Sequence, residues 1–122
     1  MQYEIFIAER KKYLVIRVHE PVTEGLLEEF IREAAEKANE SGIDKFLFDL
    51  RRAANQASLT SQWWTINHVM KDLGFKPGSQ HALLVTSELL ADYKFLETVL
   101  FNAGYQSERF TDESEAIKWL EE

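Results

Sequence analysis

The sequence predicts an α/β fold: a five-stranded mixed sheet whose elements follow the order β-β-α-β-α-β-α-β-α. Two adjacent strand-like runs open the chain, and helix-like and strand-like segments then alternate to the C-terminus. The last unit, residues 104–120, has the pattern of a short strand followed by a capped helix. Strands separated by helices pair in parallel through right-handed crossovers, so only the opening hairpin adds an antiparallel strand. At 122 residues, we expect the whole chain, 1–122, to form one domain.

The first two strands are predicted at residues 3–8 and 12–19, which are rich in β-branched and aromatic side chains. The charged segment Glu9-Arg10-Lys11-Lys12 lies where these runs meet, as at the turn of an antiparallel hairpin. We expect the N-terminal region, residues 1–12, to lie at or near an edge of the sheet.

The first helix is predicted to begin after Pro21, with Thr23 as its N-cap, and to end at Gly42. An apolar stripe at helical spacing indicates which face is buried. The stripe consists of Leu26, Leu27, Phe30, Ile31, Ala34, Ala35 and Ala38.

The middle of the chain predicts two buried strands and a helix. Residues 45–50 are almost continuously apolar, as expected of an interior strand that is covered on both faces. A polar loop, 51–57, leads to a second helix over about 58–73, which Gly74 terminates. The next buried strand is predicted at 81–86.

A third helix and a final strand–helix unit complete the pattern. The third helix ends at Gly104, and its apolar positions are Leu96, Val99, Leu100 and Ala103. The last strand is predicted at 105–110. The last helix is predicted to be capped by Asp112, with Glu115 at the capping-box position.

Charge and composition narrow the class of protein. The formal net charge of -7 and the pI of about 5.0 argue against nucleic-acid binding, which needs a basic surface. The absence of cysteine excludes disulfides, thiolate zinc sites and a thiol nucleophile, and agrees with a reducing cytoplasm. The N-terminus has no signal-peptide pattern, and no apolar stretch approaches the roughly 20 residues that span a bilayer. We therefore expect a cytoplasmic protein without a transmembrane segment.

Two local patterns resemble a known superfamily. Phe48-Asp49-Leu50-Arg51 ends a central strand, and the tail contains Gly104-Tyr105, Phe110-Thr111-Asp112, Ala116 and Trp119-Leu120. With the order of elements, these residues resemble the SpoIIAA-like fold of STAS domains (sulfate transporters and anti-sigma-factor antagonists), and in particular the stand-alone SpoIIAA-like proteins of bacteria. The resemblance covers essentially the whole chain. It implies an intracellular, non-catalytic domain that binds a protein or a small ligand.

The resemblance also implies a candidate phosphorylation site. In anti-sigma-factor antagonists, a phosphorylatable serine begins the second helix within an Asp-Ser-Ser-Gly-type stretch. The corresponding stretch here is Gln56-Ala57-Ser58-Leu59-Thr60-Ser61, which makes Ser58 the candidate. It departs from the family pattern, since Ala57 replaces the acidic residue and Leu59 and Thr60 replace the small pair. The alternative is that Ser58 or a neighbouring hydroxyl residue is simply the N-cap of the helix.

The residues that follow the central strand are candidate ligand-binding residues. Ligands of parallel sheets collect beyond the carboxyl ends of the strands, where Asp49, Arg51, Arg52 and Asn55 are predicted to lie. Thr60 is a further candidate, because the N-terminus of a helix favours anions. The alternative is that Asp49 caps a neighbouring loop or pairs with an arginine.

The pair Trp63-Trp64 predicts a contact surface on the second helix. On a helical wheel, one face collects the apolar residues Leu59, Ile66, Val69, Met70 and Leu73. Trp63 lies at the edge of this face, whereas Trp64 points nearly opposite, beside Ser61, His68 and Lys71. Because tryptophan is enriched at interface hot spots, these last four residues are candidates for a partner interface. The alternative is that Trp64 folds over a neighbouring loop or is merely half exposed.

The sequence offers no signature of an enzyme. His19, His68 and His81 are scattered over three elements without metal-ligand spacing, so we expect no metal site. No phosphate-binding loop, nucleophile elbow or catalytic triad is evident, so we expect neither catalysis nor a cofactor.

Two hypotheses for function remain. The first is a regulatory or protein-interaction module that binds a protein partner or a second copy of itself as a homodimer. The alternative is a carrier or sensor of a small apolar ligand or lipid, which rests on analogy with folds that have a related core.

Overall fold

The computed structural model describes residues 2–10 and 12–122. In this part of the chain, five strands form one mixed sheet whose spatial order follows the sequence: β1 (Tyr3–Ile7), β2 (Leu14–Val18), β3 (Lys45–Asp49), β4 (Gln80–Leu84) and β5 (Gln106–Phe110). β1 pairs with β2 antiparallel, and the other neighbouring strands pair in parallel. The predicted fold class is confirmed, with β1 at an edge and β3 in the centre. Lys11 of the predicted turn and Met1 of the predicted edge region lie outside the described residues.

The helices of the described residues are α1 (Glu24–Ser41), α2 (residues 59–72), α3 (Lys94–Asn102) and α4 (Glu113–Glu121). The second helix, α2, is a continuous run of three segments: α-helical Leu59–Trp64, π-helical Thr65–Val69 and α-helical Met70–Asp72. Two 3₁₀ turns, Ser87–Leu89 and Ala91–Tyr93, precede α3 and were not predicted. The predicted order of strands and helices is confirmed.

The helices divide unequally between the two faces of the sheet. α1, α2 and α3 cover one face, which buries Ile16, Phe48 and Leu83 in the larger core. The short helix α4 lies on the other face, where Leu120 packs in a smaller core with Leu47. Successive residues of β3 therefore point into two separate cores, because side chains alternate across a strand. This explains why the sequence of β3 is apolar without interruption.

Side-chain caps and a glycine fix helix ends that the sequence predicted. Thr23 Oγ1 accepts a hydrogen bond of 3.2 Å from the first turn of α1, and Gly42 ends that helix with a φ of 74°. Asp112 caps α4 and accepts from the backbone N–H and the hydroxyl of Ser114, at 2.8 and 2.6 Å. Both bonds come from Ser114, whereas the sequence predicted Glu115 as the capping-box partner of Asp112.

The predicted helical wheel of α2 is wrong in its N-terminal half. Leu59, assigned to the core face, is 60% exposed, and Trp63, assigned to the edge of that face, is 49% exposed. The side chains buried there instead are Gln62 and Thr65. A π-helical segment follows, in which the Met70 N–H donates to the Thr65 carbonyl, five residues back, yet the buried positions 62, 65, 66, 69 and 70 keep the regular spacing of one helical face across it. The buried face therefore includes two polar residues, Gln62 and Thr65, which apolar spacing does not count, and it turns away from Leu59 and Trp63.

Candidate functional site

Asp49, the first predicted ligand-binding residue, ends β3 as a buried carboxylate bound by two arginines. Its oxygens accept hydrogen bonds from Arg51 Nε and Nη2, both at 2.9 Å, and from Arg17 Nε of β2 at 3.2 Å. Burial alone raises the pKa of the Asp49 carboxyl. The bonds and charge of Arg51, with the bond from Arg17, outweigh that effect and hold the pKa below its usual value. The arrangement matches the alternative interpretation from the sequence, an aspartate paired with arginine.

The ion pairs continue on both sides of Asp49 as a row of alternating charge. Arg17 also contacts Glu4 of β1 at 3.5 Å, and Arg51 contacts Glu113 at the start of α4 at 3.4 Å. The Arg17 guanidinium lies over the ring of Phe6, with 5.3 Å from its central carbon to the ring centroid. Because both arginines already have carboxylate partners, an anion at this edge would compete with Asp49 for them. Ligand binding by Asp49 and Arg51 stays a prediction.

Asp49→Ala should lower the free energy of unfolding by about 3 kcal/mol, because it leaves two partly buried arginines without their shared carboxylate. Arg52→Ala is the matched control. Arg52 is exposed and makes no side-chain hydrogen bond within the described residues, so its truncation should change stability by less than about 0.5 kcal/mol. Urea unfolding measures both variants, and equal midpoints would contradict a structural role for the Asp49 pair.

The remaining ligand candidates do not converge on Asp49. Asn55 is occupied by the loop: its Nδ2 donates to Gln62 Oε1 at 3.1 Å and to the Asp92 carbonyl at 3.3 Å. Its Oδ1 accepts from the Ala57 N–H at 3.3 Å. Asn55 therefore ties the loop after β3 to α2 and to the turn before α3. Arg52 and Thr60 are exposed.

Ser58, the candidate phosphorylation site, is the N-cap of α2. Its Oγ accepts a hydrogen bond from the Ser61 N–H at 3.1 Å, and the residue is exposed. The simpler interpretation from the sequence, that a hydroxyl residue caps this helix, is confirmed for Ser58. Its phosphorylation stays a prediction.

An aromatic cluster stands on the outer surface of α2 and consists of Trp63, Trp64 and His68. The rings of Trp64 and His68 stack with their centroids 4.0 Å apart, and Trp63 meets His68 edge-on at 5.5 Å. Trp64 is 53% exposed, as the sequence predicted. Trp63 belongs to the same exposed cluster, which the sequence missed because the buried face there is formed by the polar residues Gln62 and Thr65.

An acidic groove runs between α1 and the start of α2. It is lined by Glu24, Gly25, Glu28, Glu29, Arg32 and Ser61. Arg32 Nε is already paired with Glu28 at 3.0 Å, so carboxylates dominate the lining. Ser61 lies one helical turn before Trp64, which places the acidic groove beside the aromatic cluster. Lys71, the other predicted interface residue, donates through Nζ to the Ala103 carbonyl at 3.2 Å.

The structure also reveals a buried histidine that the sequence did not single out. His81 of β4 is fully buried and stacks on Phe46, with ring centroids 4.9 Å apart. Its Nε2 is 2.8 Å from the hydroxyl of Ser79, which is also buried. Burial lowers the pKa of His81 to about 3. Although serine and histidine are adjacent, they are closed to solvent and this histidine is a weak base, which does not suit nucleophilic catalysis.

The sequence also predicts neither a metal site nor a transmembrane segment. Among residues 2–10 and 12–122, no group of three or more histidine, aspartate or glutamate residues is placed to hold a metal ion. None of the helices in the same residues combines the length and apolar composition needed to cross a bilayer.

Known structures share this arrangement of strands and helices, although the sequence matches no protein-family model and no curated protein. An uncharacterised DUF3478-family protein with a SpoIIAA-like fold, from Shewanella loihica PV-4, superposes with a TM-score of 0.60. The match covers 97% of this chain and 91% of that chain, at 20% sequence identity. The chain has the SpoIIAA-like fold.

Two structures of SpoIIAA share the SpoIIAA-like fold at similar distance. The anti-sigma factor antagonist SpoIIAA in its unphosphorylated form gives a TM-score of 0.56 at 16% identity, covering 98% of this chain and 97% of that one. The phosphorylated form of SpoIIAA, a Bacillus cell fate determinant, gives 0.54 at 17% identity, covering 97% and 98%. The resemblance predicted from the sequence is confirmed for the fold. At these identities, fold is what the chains share.

Proposed function

We propose that this protein is a non-catalytic regulatory domain that binds another protein through the outer face of α2. The observation that carries the proposal is the exposed aromatic cluster of Trp63, Trp64 and His68. Two adjacent tryptophans with about half of their surface in water leave a large apolar area unburied, and Trp is among the residues that most often dominate binding energy. A regulatory role is supported by the anti-sigma factor antagonist SpoIIAA, which has the same fold.

The cluster is partly ordered before any partner arrives. Stacking of Trp64 on His68 restricts both side chains, so less rotamer freedom is lost when a partner covers them. The helix beneath is anchored by Gln62, whose side chain is buried and donates to the Ala57 carbonyl at 2.9 Å. The aromatic cluster is therefore a rigid surface, which suits binding to one partner in one fixed geometry.

Charge favours a basic protein partner over a second copy of the chain. The groove beside the cluster is lined mainly by carboxylates, and the whole chain carries a net charge of -7. Two acidic copies would bring like charges together, which disfavours association, whereas a basic rim on another protein would complement the groove. A homodimer is therefore the less favoured form of the interaction.

Trp64→Ala should weaken partner binding by about 2 kcal/mol or more, roughly a thirty-fold loss of affinity, with little change in melting temperature. Trp63→Ala should behave in the same way, because Trp63 is also exposed. Phe101→Ala is the matched control, since Phe101 is an exposed aromatic of α3 outside the cluster.

The immobilised wild-type protein and the three variants would be compared for capture of a partner from lysate of the source cell. The affinity of the partner so identified would then be measured, and sedimentation velocity would report self-association. Equal affinity of wild type and both tryptophan variants would contradict the proposal. A Trp64→Ala protein that melts far below wild type would instead make Trp64 a packing residue.

A further inference from the structure

The two edges of the sheet differ in how their outward-facing groups are satisfied. At the β5 edge, the Arg109 N–H donates to Glu97 Oε2 of α3 at 2.7 Å, and Arg109 Nε donates to Oε1 of the same carboxylate at 3.2 Å. The Ser107 hydroxyl donates to the Glu97 carbonyl at 2.7 Å. The β5 edge is therefore covered by α3, which keeps another strand from pairing there.

The β1 edge has no such cover in the described part of the chain. The Ala8 N–H donates to the Tyr13 carbonyl, so the even-numbered residues of the first strand are bonded to β2. Because the bonding direction alternates along an antiparallel strand, the N–H and C=O groups of Tyr3, Ile5 and Ile7 face away from the sheet. Within the described residues these outward groups have no hydrogen-bond partner.

β1 also lacks the features that usually protect an open edge. Its five residues, Tyr3–Ile7, include neither proline nor lysine, and its register with β2 is continuous, without a bulge. Phe6 and Ile7 are 37% and 43% exposed. An unprotected and partly apolar edge is a template on which an extended segment can pair as an additional strand.

A groove of about 510 Å³ beside β1, here called the β1 groove, indicates the charge of such a segment. Its charged lining residues are Glu4, Glu29, Glu33 and Lys37. Glu4 is shared with Arg17, and the two carboxylates of α1 outnumber the single lysine. Two copies of the chain paired through β1 would bring these carboxylates together, which disfavours a second copy, whereas basic side chains would complement them.

We propose that the β1 edge binds an extended segment of a partner protein, with lysine or arginine at alternate positions, as an additional strand of the sheet. Tyr3 and Ile5 pack in the larger core, whereas Ala8 packs in the smaller one, so Phe6 lies on the opposite face from the β1 groove. Side chains of the bound segment alternate in the same way. Its basic positions lie in the β1 groove, and the positions between them cover Phe6. The inference stands independently of the aromatic cluster on α2.

A short capped peptide of alternating lysine and valine is a suitable probe for the full wild-type chain. At about ten times its Kd, the peptide should slow hydrogen exchange of the Tyr3, Ile5 and Ile7 amides about tenfold, as measured by NMR. The Glu4 and Phe6 amides are internal controls, since they are already bonded to β2 and should change less. The same peptide with N-methylated backbone amides keeps its charge but cannot donate to the edge, so it should bind about tenfold or more weakly.

Ile7→Lys and Ile7→Glu are matched variants at an exposed position of the edge. They are made on β1 because Glu29 lines both the β1 groove and the acidic groove beside α2. The lysine variant should weaken peptide binding about threefold or more by like-charge repulsion, whereas the glutamate variant should bind at least as well as wild type. Trp64→Ala should bind the peptide with wild-type affinity, which separates this inference from the proposed function.

Unprotected Tyr3, Ile5 and Ile7 amides at saturating peptide would overturn the inference. Equal affinity for the N-methylated peptide would do the same, because charge alone would then explain the binding. Peptide-induced shifts confined to Trp63, Trp64 and His68 would place the peptide on α2 instead. Self-association of the chain that Ile7→Lys abolishes, measured by sedimentation velocity, would assign the edge to a second copy and equally overturn the proposal.

Discussion

Phe48→Asp is expected to abolish folding. Phe48 lies in the central strand, is 4% exposed and packs against Phe30 and Phe46 at centroid distances of 6.0 and 6.2 Å. The variant loses the ring and buries a carboxylate without a partner. Large-to-small aromatic changes alone cost about 3–5 kcal/mol, and domains of this size have only about 5–15 kcal/mol to lose.

Circular dichroism and gel filtration would detect the loss of the Phe48→Asp fold. Phe101→Asp makes the same chemical change at a side chain that is 69% exposed, and it should keep a cooperative thermal transition. A Phe48→Asp protein that melts like wild type would be incompatible with β3 as the buried centre of the sheet.

Acidification should destabilise the protein through His81 well before its carboxylates are protonated. Burial lowers the pKa of His81 from its usual 6.5 to about 3, so below pH 6.5 the unfolded chain binds a proton that the folded protein excludes. The contribution of uncharged His81 to the free energy of unfolding is therefore fully present above about pH 6.5, and it is lost as the pH falls toward 3. The expected slope is about 1.4 kcal/mol per pH unit, or roughly 2 kcal/mol between pH 6.5 and pH 5.

Among the described residues, burial accounts for the lowered pKa of His81, and the aromatic rings in contact with it are Phe46, Phe48, Phe75 and Tyr105. Asp49 contributes its own stabilisation above its ordinary pKa of 3.8, and that is lost only at still lower pH. Urea unfolding from pH 7 to pH 5 should show the slope in wild type and in His68→Phe, where an exposed histidine is replaced. His81→Phe should remove it, and an unchanged slope in that variant would refute the assignment.

The sequence allowed the strands and most helix ends to be predicted because their signals are local. Thr23, Gly42 and Asp112 act on atoms within a few residues of themselves, so their roles follow from position alone. The wheel of α2 failed because Gln62 and Thr65 are polar residues on the buried face, and a wheel drawn from apolar residues does not count them. Leu59 therefore faces solvent although its type favours the core.

The candidate sites depend on contacts between distant parts of the chain, which the sequence could only suggest. That Asp49 pairs with arginine was one predicted alternative, but its second partner, Arg17, is 32 residues away on β2. His81 looked like one scattered histidine among three, because its burial arises from Phe46 on β3 and Tyr105 beside β5. Which residues of neighbouring strands come into contact depends on the register of the sheet, and the register is known only from the folded structure.

The spatial order β1-β2-β3-β4-β5 bears on how the sheet assembles. Each strand is paired with the strand that precedes or follows it in the chain, so no strand has to insert between two that are already joined. The entropy lost on closing a loop increases with its length, and here every closure spans a single crossover or hairpin. The sheet can therefore grow by successive addition at an edge, starting from any adjacent pair of strands.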